Sequence, residues 1–180
     1  MKKLWIITAG LVLAACNSKP STDTTAATPT TPAKDTTTYA YKAVYSSDIS
    51  VPGNTQYAKE VLDVWKAFEM NQIQTKRASF ADTVTYDDAS GFHFHGPADT
   101  ILAIAKQDIS GLDSLRFDID AWQSAHVNDK GDDYVNIWAV ERRYPKKGGH
   151  ADTTLIQENW VVKDGKIVSF DQYKKNPPKQ

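Results

Sequence analysis

Residues 158–167 read Glu-Asn-Trp-Val-Val-Lys-Asp-Gly-Lys-Ile, and this stretch decides the fold. An Asp-Gly pair between runs rich in β-branched and aromatic residues is a strong local signal for a two-residue hairpin turn. We therefore predict two antiparallel strands, 153–163 and 166–174. Because side chains alternate along a strand, Glu158 and Trp160 share one face. If that face points inward, Glu158 is the best carboxylate for a pocket acid or base.

Upstream of this hairpin the chain keeps the same period of two. Leu115, Phe117, Ile119 and Ala121 are apolar at alternate positions, and 134–143 is rich in Tyr, Val, Ile and Trp. Such alternation is typical of a strand with one buried face. The sequence therefore predicts four long strands that form an antiparallel meander at the end of the domain.

The first half of the domain has helical spacing instead. After a cap at Asn54 or Thr55, apolar residues recur every three or four positions as far as Phe68, which predicts an amphipathic helix. A second short helix is predicted at 75–81, and Pro97 suits the first turn of a third helix. Residues 91–96 begin and end with a glycine, and aromatic and histidine side chains alternate between them, which indicates a short strand. Helices followed by a meander predict an α+β domain.

Three stretches resemble a known superfamily in their order and spacing. They are Ser-Phe-Ala-Asp-Thr-Val-Thr-Tyr at 79–86, His-Gly-Pro-Ala-Asp-Thr-Ile at 95–101, and the hairpin at 158–167. They resemble the nuclear transport factor 2-like (NTF2-like) superfamily, which includes SnoaL-like polyketide cyclases and ketosteroid isomerases. The resemblance covers 54–175 and implies a cone-shaped fold, with three N-terminal helices packed on a curved antiparallel sheet around a pocket. It implies no single chemistry, because one fold hosts many functions.

The N-terminus has the layout of a secretory signal. Lys2 and Lys3 precede a short apolar run at 4–12, and Leu-Ala-Ala-Cys follows at 13–16. This tetrad resembles the lipobox of bacterial lipoproteins, so we expect a signal peptide at 1–15 and fatty acylation, palmitate included, at Cys16. Two or three acyl chains are enough for stable anchoring to a membrane. Asn17 after the cysteine favours the outer membrane of the cell envelope over the inner one.

The residues after Cys16 predict a spacer between the anchor and the domain. Residues 17–38 hold no aliphatic or aromatic side chain larger than Ala, so burial cannot offset the entropy lost on ordering them. We assign 16–53 to the lipidated cysteine and this tether, 54–175 to the domain and 176–180 to a tail. Residues 39–51 are ambiguous, since Tyr41, Val44 and Tyr45 could dock on the domain or stay loose.

Composition excludes some partners and chemistries. The formal net charge is −1, and no basic stripe is present, so we expect no nucleic-acid partner. Cys16 is the only cysteine, which leaves no thiol for disulfides or catalysis after lipidation. We expect no cofactor, because ATP and NAD are scarce in the envelope. Residues 142–150 are basic and glycine-bearing, and we interpret them as a solvated hairpin loop.

Aromatic side chains indicate a pocket for an apolar or ring-containing ligand. Trp and Tyr combine bulk with a polar tip that needs a partner, which suits a pocket mouth. The residues predicted to line it are Trp65, Tyr86, His95, Trp138, Glu158 and Trp160. In the alternative, Trp122 and Trp160 lie on the outer face of the sheet and form a homodimer interface.

The predicted catalytic residues are Asp82, His126 and Asp118. His126 has the same strand parity as Asp118, and a carboxylate that orients an imidazole is a common proton-transfer pair. In the simpler interpretation His126 is solvated at a strand end and Asp82 belongs to a turn. His93 and His95 share one face of a short strand, but no third ligand stands at a recognisable spacing, and we expect no metal site.

Three functions are compatible with this sequence. The preferred one is a lipid-anchored module that binds a small ligand or a partner without catalysis. The second is a cofactor-independent isomerase or dehydratase that uses a histidine and a carboxylate. The third is a dimeric structural module of an envelope assembly. A pocket with a His–carboxylate pair favours the enzyme, an aromatic pocket without one favours binding, and a filled pocket favours the structural module.

Overall fold

A computed structural model describes residues 38–176 of the chain. The predicted signal peptide, Cys16, most of the tether and residues 177–180 lie outside the described residues. In the described part of the chain, seven strands form a single mixed sheet, and two α-helices and a 3-10 helix accompany it. Within 38–176, no helix is long and apolar enough to cross a membrane.

In the described residues, helices and short strands precede the long meander. In chain order they are β1 (Ile49–Ser50), α1 (Thr55–Glu69), the 3-10 helix (Ile73–Ser79), β2 (Phe80–Asp88), β3 (His93–Pro97), α2 (Ala98–Ile109), β4 (Leu112–Val127), β5 (Asp132–Pro145), β6 (Asp152–Lys163) and β7 (Lys166–Lys175). The α+β class is confirmed. The expectation of three N-terminal helices is wrong for α2, which follows the β2–β3 hairpin.

Helix α1 forms where the sequence predicts it. The Asn54 side chain caps the helix by accepting a hydrogen bond from the Gln56 N–H, at 2.9 Å. One face buries Val61, Val64 and Trp65, while Lys59 lies on the solvent side. The second helix is a 3-10 helix that ends at Ser79, earlier than predicted, because Phe80 already belongs to β2 and is buried.

The sheet has the strand order β1-β4-β5-β6-β7-β2-β3. Strands β4 to β7 form the predicted antiparallel meander, and β2–β3 is a further antiparallel pair. Strand β2, however, runs parallel to β7, with Tyr86 opposite Phe170, so the wholly antiparallel sheet that we expected is wrong at this point. Hairpin signals in a sequence report only neighbouring strands, and these two strands are far apart along the chain.

The β6–β7 hairpin confirms the prediction from 158–167. Asp164 and Gly165 have φ values of 50° and 74°, and Lys163 pairs with Lys166 across them. Two successive positive φ values give the turn that matches the twist of a hairpin. The register shifts by one residue between Val161 and Val162, and this shift places Glu158 opposite Gln172 and Trp160 opposite Phe170, all facing the helices.

Strand β4 contains a bulge that the alternation does not reveal. Its register with β5 shifts between Ile119 and Ala121. A bulge places two residues opposite one and reverses the facing of everything beyond it. Asp118 and His126 therefore do not share a face, although they have the same parity in the sequence.

The segment before α1 docks on the domain through one of its three apolar candidates. The Tyr45 hydroxyl donates to Asp132, and its ring packs edge-on against Tyr134 with centroids 6.5 Å apart. Tyr41 and Val44 are exposed instead. Strand β1 then pairs with the end of β4, so the residues next to α1 are held against the sheet.

The core lies between the sheet and the helices. Val61 and Trp65 of α1 and Ile101 of α2 pack in one cluster with Ile137 and Trp160 of the sheet. All five are at most 5 % exposed. This arrangement leaves space at one end of the core, where α2 and the ends of β5, β6 and β7 surround a cavity.

Candidate functional site

A cavity of about 320 Å³ opens between the inner face of the sheet and the helices α1 and α2. This volume lies at the lower end of the range typical of small-molecule sites. Eight aromatic rings contribute to its wall: Trp65, Phe68, Phe80, Tyr86, Phe92, Phe117, Trp160 and Phe170. The side chains of the core therefore do not fill this end of the domain.

The aromatic wall is a continuous row of ring contacts across three strands. Trp160 of β6 and Phe170 of β7 stack with centroids 4.4 Å apart and planes 9° apart. Tyr86 of β2 continues the row at 4.6 Å from Phe170. On the helix side, Trp65 lies 4.7 Å from Phe117 of β4. Stacked rings pack rigidly, so the wall presents flat apolar surfaces of fixed position.

Glu158 is the buried carboxylate of this cavity. Its Oε2 accepts from Trp160 Nε1 at 2.8 Å, and its Oε1 accepts from Gln172 Nε2 at 2.5 Å. Burial raises the pKa of Glu158 to about 7, although hydrogen bonds from Gln172, Trp160 and Trp65 favour the charged form. A carboxyl with this pKa can hold or release a proton near neutral pH.

Two buried polar atoms beside Glu158 have no partner at hydrogen-bonding geometry within the described residues. They are Nε1 of Trp65 and Oε1 of Gln172. The Trp65 indole is close enough to lower the pKa of Glu158, so its N–H belongs to the environment of the carboxylate. Gln172 Oε1 differs from this indole N–H, because it is a hydrogen-bond acceptor and the neighbouring carboxylate of Glu158 is an acceptor too. Buried polar atoms without partners are rare, and each needs an explanation.

A second polar cluster stands at the cavity wall and joins the sheet to α2. Arg143 Nη2 donates to Glu141 Oε1 at 3.0 Å and to Asp108 Oδ2 at 2.7 Å. Glu141 is only 2 % exposed, and Arg143 supplies its compensating charge. These two carboxylates raise the pKa of Arg143 despite its burial. One guanidinium is thus shared by two carboxylates.

Four of the six predicted pocket residues line this cavity. Trp65, Tyr86, Glu158 and Trp160 are among its lining residues. His95 and Trp138 are not. His95 is exposed on β3 and contacts Thr85 Oγ1 through its Nδ1 at 2.9 Å. Trp138 is half-buried on the outer face of β5, opposite Ala121 and Gln157. The alternative that placed Trp160 on the outer face is wrong, because Trp160 faces the cavity.

The three predicted catalytic residues lie outside the cavity and apart from one another. Asp82 is fully exposed and pairs with Arg77. Asp118 lies on the outer face of β4 between Arg116 and Arg142. A hydrogen bond from Arg142 is the main cause that lowers the pKa of Asp118, and the positive charges of both arginines lower it further.

His126 pairs with a different carboxylate from those predicted. Its Nδ1 lies 3.1 Å from Asp133 Oδ1, at the end of β4 where β1 also pairs. The imidazole is 38 % exposed and does not line the cavity. The pair therefore ties together the end of the β4–β5 hairpin.

His93 and His95 do share the exposed face of β3, as their spacing indicates. His93 Nδ1 contacts Asp87 Oδ1 at 2.6 Å, and His95 contacts Thr85. Among residues 38–176, no group of three or more His, Cys, Asp or Glu side chains is placed to hold a metal ion.

Sequence reasoning missed the Arg143 cluster. Residues 142–150 read as a solvated loop, but β5 continues to Pro145, and this interpretation is wrong for Arg143, which lines the cavity. The available signal was strand parity, because Glu141 and Arg143 follow Val135, Ile137 and Ala139 at alternate positions and so share their face. Gln172 could not have been found in this way, because the turn alone pairs Glu158 with Asp171 and a register shift between Val161 and Val162 moves the partner by one residue.

The fold is similar to that of solved structures, although no protein-family model and no curated protein matches the sequence. One is a putative scytalone dehydratase from Novosphingobium aromaticivorans, with a TM-score of 0.56 and 12 % identity over 69 % of this chain and 87 % of that one. Another is a LEH-like epoxide hydrolase from M. tuberculosis, with a TM-score of 0.55 and 14 % identity over 67 % of this chain and 84 % of that one.

A third similar structure bears the name of the fold itself. It is an NTF2-like protein of unknown function from Burkholderia pseudomallei, with a TM-score of 0.51 and 16 % identity over 66 % of this chain and 89 % of that one. The domain has the NTF2-like fold. At such low identity the likeness concerns the fold alone, so the function of the NTF2-like domain depends on the residues of its own cavity.

Proposed function

We propose that the NTF2-like domain binds a small ring-containing, largely apolar molecule in the aromatic cavity, without converting it chemically. The observation that carries this proposal is the row formed by Tyr86, Phe170 and Trp160 beside an unfilled volume of about 320 Å³. Flat rings of fixed position favour a flat apolar ligand, because little side-chain freedom is lost when it binds. Glu158 and its donors would fix the orientation of the polar end of the ligand.

The lining of the cavity supports binding over the other two sequence hypotheses. None of the residues between 38 and 176 that line it is a histidine, so a His–carboxylate pair is not among its lining residues. A purely structural module would fill its interior with its own side chains, as protein cores generally do. An unfilled aromatic cavity without a His–carboxylate pair therefore favours binding.

Blocking the cavity tests this proposal. Ala105 of α2 lines it, whereas Ala103 of the same helix is exposed and does not. Ala105→Phe should weaken binding of a neutral ring probe, meta-isobutylphenol, at least about tenfold, because the new ring occupies the ligand volume. Ala103→Phe is the matched control and should leave the affinity unchanged. Isothermal titration calorimetry measures both, and equal affinities in the two variants would contradict the proposal.

A cofactor-independent proton-transfer enzyme is the second candidate, and the chemistry of Glu158 favours it. A buried carboxyl with a pKa of about 7 is suited to act as general acid or base at neutral pH. The similar structures named as an epoxide hydrolase and a scytalone dehydratase show that the fold can carry enzymes. In this case a small cyclic ketone should exchange deuterium with D₂O in the presence of the protein, and Glu158→Gln should abolish the exchange. No exchange above the protein-free rate would exclude this use of Glu158.

We also propose that lipid on Cys16 holds the protein in the bacterial cell envelope, with the outer membrane favoured. The support is the signal-peptide layout of 1–15 and the Leu-Ala-Ala-Cys sequence that ends at Cys16. Cys16→Ser should release the protein from the membrane fraction, and it should abolish metabolic labelling with radioactive palmitate. Continued membrane association of an unlabelled Cys16→Ser protein would contradict the anchor.

A homodimer remains a further proposal, through the outer face of the sheet. Exposed apolar residues on that face include Leu155 and Tyr173, and Trp138 is half-buried there. Trp160 takes no part, since it faces the cavity. Light scattering coupled to size-exclusion chromatography would measure the mass, and a monomer at all concentrations would exclude this interface.

A further inference from the structure

The charges around the cavity do not balance. Four carboxylates line it, at Asp88, Asp108, Glu141 and Glu158, whereas Arg143 and Lys174 are its two basic residues. Arg143 already serves both Glu141 and Asp108. Within 38–176, Glu158 has no basic side chain at ion-pair distance, and its hydrogen-bond donors are neutral N–H groups. A buried carboxylate without a counter-ion creates a negative potential around itself, and this potential attracts a cation.

The aromatic wall adds a second, independent attraction for positive charge. The face of an aromatic ring carries negative partial charge, so a cation placed over Trp, Tyr or Phe is stabilised. Trp65 and Trp160, the ring type that binds cations best, both contact the surroundings of Glu158. Both indoles direct their N–H edge toward Glu158, and the faces of the cavity rings and the carboxylate together favour positive charge within this cavity.

A third observation concerns hydrogen bonding at this point. Gln172 directs its Nε2 to Glu158, which leaves its Oε1 buried and without a donor. A group that donates a hydrogen bond and carries positive charge would satisfy this oxygen and the carboxylate together. A protonated amine has both properties, whereas a neutral ring has neither and an anion would be repelled.

We propose that the ligand of this cavity is a protonated amine attached to a ring or a branched apolar group, with its N–H directed to Glu158 and Gln172. This inference rests on the proposed function, because it specifies the ligand class of the same cavity. The nitrogen would lie among Trp65, Trp160 and the two polar side chains, and the apolar part would lie along Phe170 and Tyr86.

A matched pair of probes separates this inference from the proposed function. Meta-(dimethylaminomethyl)phenol is cationic at neutral pH, and meta-isobutylphenol is neutral with nearly the same shape. Isothermal titration calorimetry on the full-length protein in detergent micelles, corrected for micelles alone, should show at least about tenfold tighter binding of the amine. Equal or tighter binding of isobutylphenol overturns the amine inference while the binding function stands. Binding of neither probe overturns both.

Glu158→Gln tests the role of the carboxylate. It should reduce the ratio of amine affinity to isobutylphenol affinity at least about tenfold. Asp118→Asn is the matched control, since it removes a carboxylate from the outer face and should leave both affinities unchanged. A preference for the amine that survives Glu158→Gln overturns the inference.

A pH series on the wild-type protein keeps the test available if Glu158→Gln does not fold. Glu158 gains negative charge as the pH rises from 6 to 8, so amine affinity should increase severalfold over that range while isobutylphenol affinity does not. The other charged or titratable groups around the cavity are Tyr86, Asp88, Asp108, Glu141, Arg143 and Lys174. Burial raises the pKa of Tyr86, and Arg143 also has a raised pKa, so neither changes charge in this range. Amine affinity that is flat or falls from pH 6 to 8 overturns the inference.

Discussion

Glu158 and Asp118 are carboxylates on the same sheet, one on its inner face and one on its outer face. Asp118 is held by two arginines in contact with water, and its pKa is lowered. Glu158 is held by neutral donors in an aromatic interior, and its pKa is raised to about 7. The comparison shows that burial and the charge of the neighbours, rather than the residue type, decide which carboxylate can do chemistry or bind a ligand.

The largest expected difference concerns packing and compares a buried tryptophan with an exposed one. Trp160 is 4 % exposed, stacks on Phe170 and donates to Glu158, whereas Trp122 of β4 is 56 % exposed. Trp160→Ala should lower the free energy of unfolding by about 3–5 kcal/mol. Trp122→Ala, the matched control, should stay within about 0.5 kcal/mol of wild type. Urea denaturation measures both, and similar losses would show that Trp160 is not part of a packed wall.

A second comparison concerns stability against pH. The pKa of Glu158 is raised in the folded state, so this group binds its proton more tightly there than in the unfolded chain. Its contribution is full in acid and is lost as the pH rises towards and through about 7, by about 3 kcal/mol at most. Glu158→Gln should flatten the stability profile between pH 5 and 8. An unchanged slope in this variant would contradict the buried position of the carboxyl.

Asp118 should behave in the opposite sense. Its folded pKa is lowered, so its contribution is present above the unfolded pKa and is lost only as the pH falls through the folded value. Asp118→Asn should therefore leave the slope of stability against pH as in wild type between pH 5 and 8, and change that slope only in acid, where the wild-type contribution is lost. A changed slope in the neutral range would contradict the lowered pKa of the outer carboxylate.

The two neighbouring arginines of β5 sharpen the comparison further. Arg143→Met leaves Glu141 buried and without its counter-ion, which should cost about 2–3 kcal/mol of unfolding free energy. Arg142→Met removes an arginine from the outer face, where solvent screens its pair with Asp118, and should leave stability close to wild type. Urea denaturation measures both variants. A larger loss of stability for Arg142→Met than for Arg143→Met would show that the inner and outer faces of β5 have been interchanged.

The sequence alone predicts the elements that local chemistry determines. The cap at Asn54 and the spacing of α1 predict that helix, Asp164-Gly165 predicts the β6–β7 turn, and alternation along β6 predicts that Glu158 and Trp160 share one face. The four-strand meander follows from its alternation.

Features that depend on distant contacts could not be predicted in this way. The parallel pairing of β2 with β7 joins parts of the chain that share no local signal. The bulge between Ile119 and Ala121 breaks the parity that linked His126 with Asp118, and no residue type in β4 marks it. Glu158 was identifiable as a candidate, but whether its face pointed inward was decided only by the packing of α1 and α2 on the sheet.

The smallest expected effects are those of the residues outside the cavity. Asp82→Asn and His126→Gln should each change the affinity for a ring probe less than about twofold, because neither side chain lines the cavity. Calorimetric titration of the two variants checks this. A large loss in the His126 variant would assign that residue to the site after all.

The most direct test of the central claim is to locate a bound ring probe by NMR. The indole N–H signals of Trp65 and Trp160 report the cavity, and those of Trp122 and Trp138 report positions outside it. Addition of meta-(dimethylaminomethyl)phenol or meta-isobutylphenol to the full-length protein should shift the signals of Trp65 and Trp160 and leave those of Trp122 and Trp138 in place. Shifts confined to Trp122 and Trp138, or no shifts at saturating probe, would contradict a binding site at Glu158.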